Sequence, residues 1–157
     1  MSPLTEQEIA VFPKFGSLKK MVRLLYEKRR LFLEQDFKKH NYKIQKSQYN
    51  QLMLIRFIMP CNLGKIMAVT GLTSAGASIF VEKMVQQNIL HRQDDPNDRR
   101  NVLISLTPEG KDFLAGVDDR LDEFILGFFR VCPEEDLKVV AKAVDIISGI
   151  LDTGHED

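Results

Sequence analysis

Asp98 is followed by two arginines, Arg99 and Arg100, inside the run Asp94-Asp95-Pro96-Asn97-Asp98-Arg99-Arg100-Asn101. The run is dense in residues that set turn geometry through their rings or short polar side chains. Cations at the tip of a turn suit the phosphates of a nucleic-acid duplex, or its narrow minor groove. The same residues also describe a solvated turn with two surface arginines. Taken alone, Asp98 and Arg100 make an exposed ion pair worth well under ~1 kcal/mol. The elements on either side decide what such a turn can do.

Downstream, Val102, Ile104 and Leu106 alternate with Asn101, Leu103 and Ser105 at strand period. Thr107, Pro108 and Glu109 then make a helix start: a hydroxyl cap, a proline at the first helical position and a carboxylate at the positive end of the dipole. Upstream, residues 89–93 supply the other strand of a hairpin with 100–106. Before it, four helices are expected. The first spans 14–39, with Leu18, Met21, Val22, Leu25, Phe32 and Leu33 on one face. Residues 41–45 are a polar connector. Ser47 caps the second helix, which turns Leu52, Ile55 and Met59 inward and is stopped by Pro60. Asn62 caps a short third helix over 63–70, ended by Gly71. Thr73 or Ser74 caps the fourth, which runs to Gln87 with Ala77, Phe80, Val81 and Met84 inward and Asn88 as a left-handed terminator. After the hairpin, a fifth helix over 108–131 carries Phe113, Leu114, Val117, Leu121, Phe124 and Ile125. A sixth, opened by Pro133, carries Leu137, Val140, Ala141, Val144, Ile147 and Leu151. The polar end, 153–157, is expected to fray.

The 157 residues fit one domain with a substantial core. No apolar run reaches the roughly 18 residues of a membrane span, so no membrane partner is expected. The first residues have neither the charged nor the apolar region of a secretory signal. Cys61 and Cys132 are then expected as reduced, buried thiols, not a disulfide, in a cytoplasmic protein. Net charge is zero but unevenly spread. Residues 14–46 hold eleven basic and three acidic side chains, while 108–157 hold five and thirteen. Such a split predicts a polyanion near the basic part, attraction between the two ends, or both. For catalysis there is no Gly-rich phosphate loop, nucleophile elbow or paired His/Cys arrangement. His40, His91 and His155 have no metal-ligand spacing. No enzyme, cofactor or metal is expected.

The third and fourth helices, joined by Gly71-Leu72-Thr73, have helix-turn-helix spacing and lead into a cationic hairpin. The segment from Asn62 to Gly110 resembles the winged helix-turn-helix of the multiple-antibiotic-resistance regulator (MarR) family. The resemblance rests on three runs: Met84-Val85-Gln86-Gln87-Asn88-Ile89-Leu90-His91-Arg92, then Asp98-Arg99-Arg100, then Leu106-Thr107-Pro108-Glu109-Gly110. It implies a mainly α fold, a winged helix-turn-helix of six helices and a two-stranded wing, paired as an intertwined homodimer. It also implies one domain over 1–157, with a dimerisation lobe from 1–46 and 108–157 and a DNA-binding lobe from 47–107.

The function implied is a sequence-specific transcription regulator: a ligand-responsive repressor binding double-stranded DNA at a pseudo-palindromic operator. The alternative is a winged-helix protein-interaction module with little specific DNA binding. The DNA-binding residues implied are Thr73, Ser74, Gly76, Ala77 and Ser78 of the recognition helix, with Arg92, Asp98, Arg99 and Arg100 of the wing. Arg100 would enter the minor groove, held by Asp98, while Arg99 reaches phosphate. Two departures stand out. Ile79 lies near where the family carries a basic residue, either touching a thymine methyl or partly buried. Asn88 replaces the usual glycine. The family also binds small aromatic effectors; here Tyr26, Phe32, Met53, Arg56 and Phe57 could line such a cleft, or be ordinary core and surface. Some relatives sense oxidants through a cysteine early in the first helix, and none precedes Cys61. Cys61 and Cys132 each sit at a helix N-terminus, where a thiolate is favoured.

Overall fold

The computed structural model describes residues 14–96 and 101–153. Among them are helices α1 (Lys14–His40), α2 (Lys46–Ile55), α3 (Leu63–Thr70), α4 (Ser74–Gln86), α5 (Pro108–Phe129) and α6 (Glu134–Thr153), and strands β1 (Leu90–Asp94) and β2 (Val102–Leu106). The strands pair antiparallel, with Leu90 opposite Leu106, Arg92 opposite Ile104 and Asp94 opposite Val102. This is the six-helix, single-hairpin architecture expected of a winged helix.

Most predicted boundaries hold because short-range chemistry sets them. Asn62 Oδ1 accepts from Lys65 N at 3.0 Å and caps α3. Gly71 ends that helix with φ 70°, where a Cβ would be strained. Asn88 closes α4 with φ 57°. Helix α2 departs from expectation at both ends. Its cap is Gln45, not Ser47: Gln45 N donates to Gln48 Oε1 at 2.8 Å. The α-helix stops at Ile55, and a 3-10 turn (Arg56–Ile58) follows. Met59 is extended (φ −80°, ψ 144°) because the ring of Pro60 disfavours helical backbone before it.

The chain forms two compact units that divide within α5, after Asp118. The core of the first is built from Leu33 of α1, Tyr49, Leu52 and Ile55 of α2, Ile66 of α3, the inner face of α4, Leu90 and Ile104 of the hairpin, and Leu114 and Val117 of α5. Burial of each large apolar side chain contributes roughly 1.5–3 kcal/mol. Cys61 joins the hairpin as a single bridging residue. Its N–H donates to Ile104 O at 3.1 Å, and Ile104 N donates to Cys61 O at 2.7 Å. Sequence reading missed this bridge, since one extended residue between two helices carries no periodicity.

The C-terminal end of α1 is tied to the connector beyond it and to the start of α2. Buried Asp36 accepts from Tyr42 Oη at 2.7 Å and lies 3.0 Å from His40 Nδ1. Lys46 Nζ sits 3.0 Å from Glu34 and holds that carboxyl below the usual range. The apolar face predicted along α1 is only partly covered: Leu33 is buried, while Met21, Val22 and Leu25 are exposed. In the second unit, Leu126, Phe129, Leu137, Val140, Ala141 and Val144 line an open trough of about 670 Å³. Val140, Val144 and Ile147, members of the apolar stripe expected along α6, are exposed within the chain. Among the described residues, no single helix is long and apolar enough to cross a membrane.

Candidate nucleic-acid interface

Helices α3 and α4 meet at 109° across Gly71-Leu72-Thr73. Helix-turn-helix units fall at about 90–120°. The turn is held by its own backbone and hydroxyls. Thr70 Oγ1 donates to Ile66 O at 2.7 Å, and Gly71 N donates to Met67 O at 2.9 Å. Leu72 N donates to Thr70 Oγ1 at 3.3 Å. Thr73 Oγ1 then accepts from Gly76 N at 3.2 Å and starts α4.

Helix α4 divides cleanly. Ala77, Phe80, Val81 and Met84 are buried, while Ser74, Ala75, Ile79, Glu82, Lys83 and Gln86 are exposed. Ala77 is therefore a core residue at 0 % exposure, not a groove residue, because it shares a face with Phe80, Val81 and Met84. Ile79 is 59 % exposed, so it is not packed as a buried side chain would be. Gly76 lies against Leu72 and the Thr73 hydroxyl, where it serves the cap; a Cβ there would come within 3.2 Å of Thr73 Oγ1. Over its first two turns the outer face of α4 carries hydroxyls and methyls but no charge.

In the wing, Arg92 is not free: its Nη1 sits 2.9 Å from Glu82 Oε2, tying β1 to α4. Beyond Asp94 and Val102 the hairpin continues with Asp95 N donating to Asn101 O at 3.0 Å. Asp98, Arg99 and Arg100, on which the wing reading centres, lie outside the described residues, as does His155.

The root of the wing is locked to the start of α5. Thr107 Oγ1 donates to Asn88 O at 2.6 Å and accepts from Gly110 N at 2.9 Å. Thr107 N donates to Ile89 O at 3.0 Å. The Leu-Thr-Pro-Glu-Gly run is thus the joint between the exit of α4 and the first turn of α5.

The five candidate effector residues stand in different settings. Tyr26 and Phe57 are 64 % and 78 % exposed, while Phe32 and Met53 pack on the core. Arg56 is ion-paired with Asp118, and its guanidinium lies 4.4 Å from the Phe57 ring centroid. Its Nε is buried and has no hydrogen-bond partner among the described residues. Tyr49 Oη donates to the other Asp118 oxygen at 3.4 Å; burial, and then the Asp118 charge, push this phenol above its ordinary range. A cleft of about 350 Å³ opens elsewhere, among His40, Tyr42, Ile44, Asn88, Glu109 and Phe113. Nothing in the sequence marked it, because its walls come from three separate stretches.

At Cys61 the expected buried, unbridged thiol is found, while the thiolate favoured at a helix N-terminus is not. Burial pushes the Cys61 thiol up. Cys132 is half-buried and free. Among the described residues, no three His, Cys, Asp or Glu side chains are grouped to hold a metal ion.

Residues 44–102, which contain the helix-turn-helix and most of the hairpin, match the model of the MarR family. That segment is similar to the MarR family. An HTH-type transcriptional regulator of Bacillus subtilis (strain 168), YsmB, is 23% identical over 128 residues, spanning 82% of this chain and 84% of its own length. Among solved structures, the transcriptional regulator Tm0710 from Thermotoga maritima superposes with a TM-score of 0.74 at 20% identity, covering 92% of this chain and 98% of its own. A mutant of S. aureus MepR, bound to an oligodeoxyribonucleotide, superposes at 0.61 and 16% identity, covering 85% and 97%. BpsR of Bordetella bronchiseptica, whose DNA binding is regulated by 6-hydroxynicotinic acid, superposes at 0.51 and 20% identity, covering 84% and 98%. The MarR-type fold therefore extends well beyond the matched segment, over nearly the whole chain.

Proposed function

We propose that this chain is a transcription regulator of the MarR type, a dimeric repressor that binds a pseudo-palindromic operator and responds to a small aromatic effector. The observation that carries the reading is the 109° helix-turn-helix whose second helix turns Ser74, Ser78 and Ile79 outward, followed by a hairpin with Arg99 and Arg100 in its connecting run. An uncharged recognition face fits the floor of a major groove. Hydroxyls there donate or accept with any base, and Ile79 suits a thymine methyl. Affinity then comes from phosphates and the wing, with Arg100 in the minor groove and Arg99 on phosphate. The oligodeoxyribonucleotide bound to the MepR mutant supports DNA as the partner. A repressor of this kind would act on DNA in the cytoplasm and would need no catalytic group.

A homodimer is the natural fate of the uncovered apolar faces. Met21, Val22 and Leu25 on α1, and Val140, Val144 and Ile147 on α6, are exposed in a single chain. Residues 1–46 and 108–157 would form the dimerisation lobe and 47–107 the DNA-binding lobe. Paired recognition helices must then reach major grooves roughly 34–36 Å apart, so an effector that shifts them by a few ångströms releases the operator. BpsR supports an aromatic acid as the effector class.

Sequenced pull-down of genomic fragments, followed by gel shifts on them, tests the reading. A defined operator bound by the dimer, with binding lost in Arg100→Ala while the dimer persists, is the expected result. Binding no tighter than to random duplex at low salt overturns it. The uncharged outer face of α4 would then favour the second reading, a protein-interaction module.

A further inference from the structure

On the DNA-binding reading above, we propose that Glu82 is a specificity-determining residue that restrains binding to arbitrary DNA by holding Arg92 away from phosphate. Glu82 stands on the exposed stripe of the recognition helix with Ala75, Ile79 and Gln86, at the three- and four-residue spacing that shares one face. It is the one acidic side chain of α4. Its Oε2 meets Arg92 Nη1 at 2.9 Å across the junction of helix and wing, and its Oε1 accepts from Gln86 Nε2 at 3.3 Å. Both charged side chains are about half exposed, 43% for Arg92 and 50% for Glu82.

That placement has two consequences. Neutralised by Glu82, Arg92 offers no net charge to a passing duplex, so the recognition lobe loses one cation from its sequence-independent attraction. Glu82 also brings an acceptor-only group to a surface that phosphates must approach. Both effects weaken non-specific binding and leave discrimination to the hydroxyls of α4 and to the wing tip. An exposed pair of this kind is held by little energy, so removing the carboxylate frees the guanidinium without disturbing the fold.

The test is a four-protein cycle on the full chain: wild type, Glu82→Gln, Arg92→Gln and the double variant. Each is titrated against a random-sequence duplex about two helical turns long. Fluorescence anisotropy is read across about 50 to 200 mM salt. Glu82→Gln is expected to bind about tenfold more tightly at the lowest salt, with the slope of log K against log salt steeper by about 0.9, one added phosphate contact. Arg92→Gln, which leaves the Glu82 carboxylate unpaired, is expected to bind less tightly than wild type with its slope unchanged, and the double variant to lose the whole gain of Glu82→Gln. If Glu82→Gln binds no better than wild type, if Arg92→Gln alone lowers the slope, or if the two changes add independently, the proposal is overturned while the DNA-binding reading stands. If none of the four proteins binds duplex at the lowest salt, both fall together.

Discussion

The Cα of Gly110 is pressed against the backbone of Ile89, so closely that a Cβ on Gly110 would lie 2.2 Å from the Ile89 carbonyl oxygen and 3.0 Å from its carbonyl carbon. That carbonyl also accepts the Thr107 N–H. The contact joins the first turn of α5 to the segment that leaves α4. It explains why the helix start reads Leu-Thr-Pro-Glu-Gly and not Leu-Thr-Pro-Glu-Ala.

Gly110→Ala is therefore expected to destabilise the protein by roughly 1–3 kcal/mol, the usual cost of forcing one more methyl into a packed site. The gain of alanine over glycine in helix propensity, about 0.5–1 kcal/mol, is too small to offset it. Urea midpoints of the variant and wild type decide the point. An unchanged or raised midpoint would show that the joint can open without cost.

The two left-handed positions should respond differently to the same substitution logic. Gly71 has φ 70° and no side chain to lose, so Gly71→Ala should cost about 1 kcal/mol in thermal or chemical unfolding. Asn88 has φ 57° and already tolerates the conformation, so Asn88→Gly should be close to neutral and Asn88→Ala costly by about 1 kcal/mol. Equal effects of Gly and Ala at residue 88 would mean the left-handed backbone is not what asparagine supplies there.

Alkaline stability should carry a signature of Tyr49. Burial, and behind it the Asp118 charge, raise the phenol's pKa above its ordinary value of 10.0. The folded state then holds this proton more tightly than the unfolded chain does. The stabilisation is fully present below about pH 10 and is lost as pH climbs toward the raised folded value. Tyr49→Phe removes that proton and should flatten the fall of the urea midpoint with pH above about 10. At neutral pH it should cost no more than about 1 kcal/mol for the long hydrogen bond to Asp118. Parallel slopes for the two proteins above pH 10 would count against the assignment.

The thiols should label in sequence. Cys61 is buried, bridged to Ile104, and raised in pKa by desolvation, so little thiolate is available. Cys132 is half-buried. A disulfide reagent at neutral pH should modify one thiol promptly in the native protein and the second only on unfolding. In Cys132→Ser the prompt phase should vanish. A fast phase surviving in that variant would place a reactive thiol at Cys61 and reopen oxidant sensing.

The sequence alone determined whatever depends on neighbours three or four residues away. Asn62, Thr73 and Thr107 cap helices because a hydroxyl or amide oxygen can reach an amide N–H two or three residues on. Gly71 and Asn88 terminate them because few other residues accept positive φ. The inner face of α4 follows from 3.6-residue periodicity, and these local marks were enough to place the helix-turn-helix and its wing. The tertiary structure decided everything that joins distant residues. It set Arg56 against Asp118, 62 positions away, and Arg92 against Glu82 across the helix–wing junction. It made Cys61 a bridging residue beside β2, and it left Met21, Val22 and Leu25 of a regular apolar stripe uncovered. Periodicity reports that a face is apolar; which partner covers it, and which charge meets which, depends on packing that no local pattern encodes.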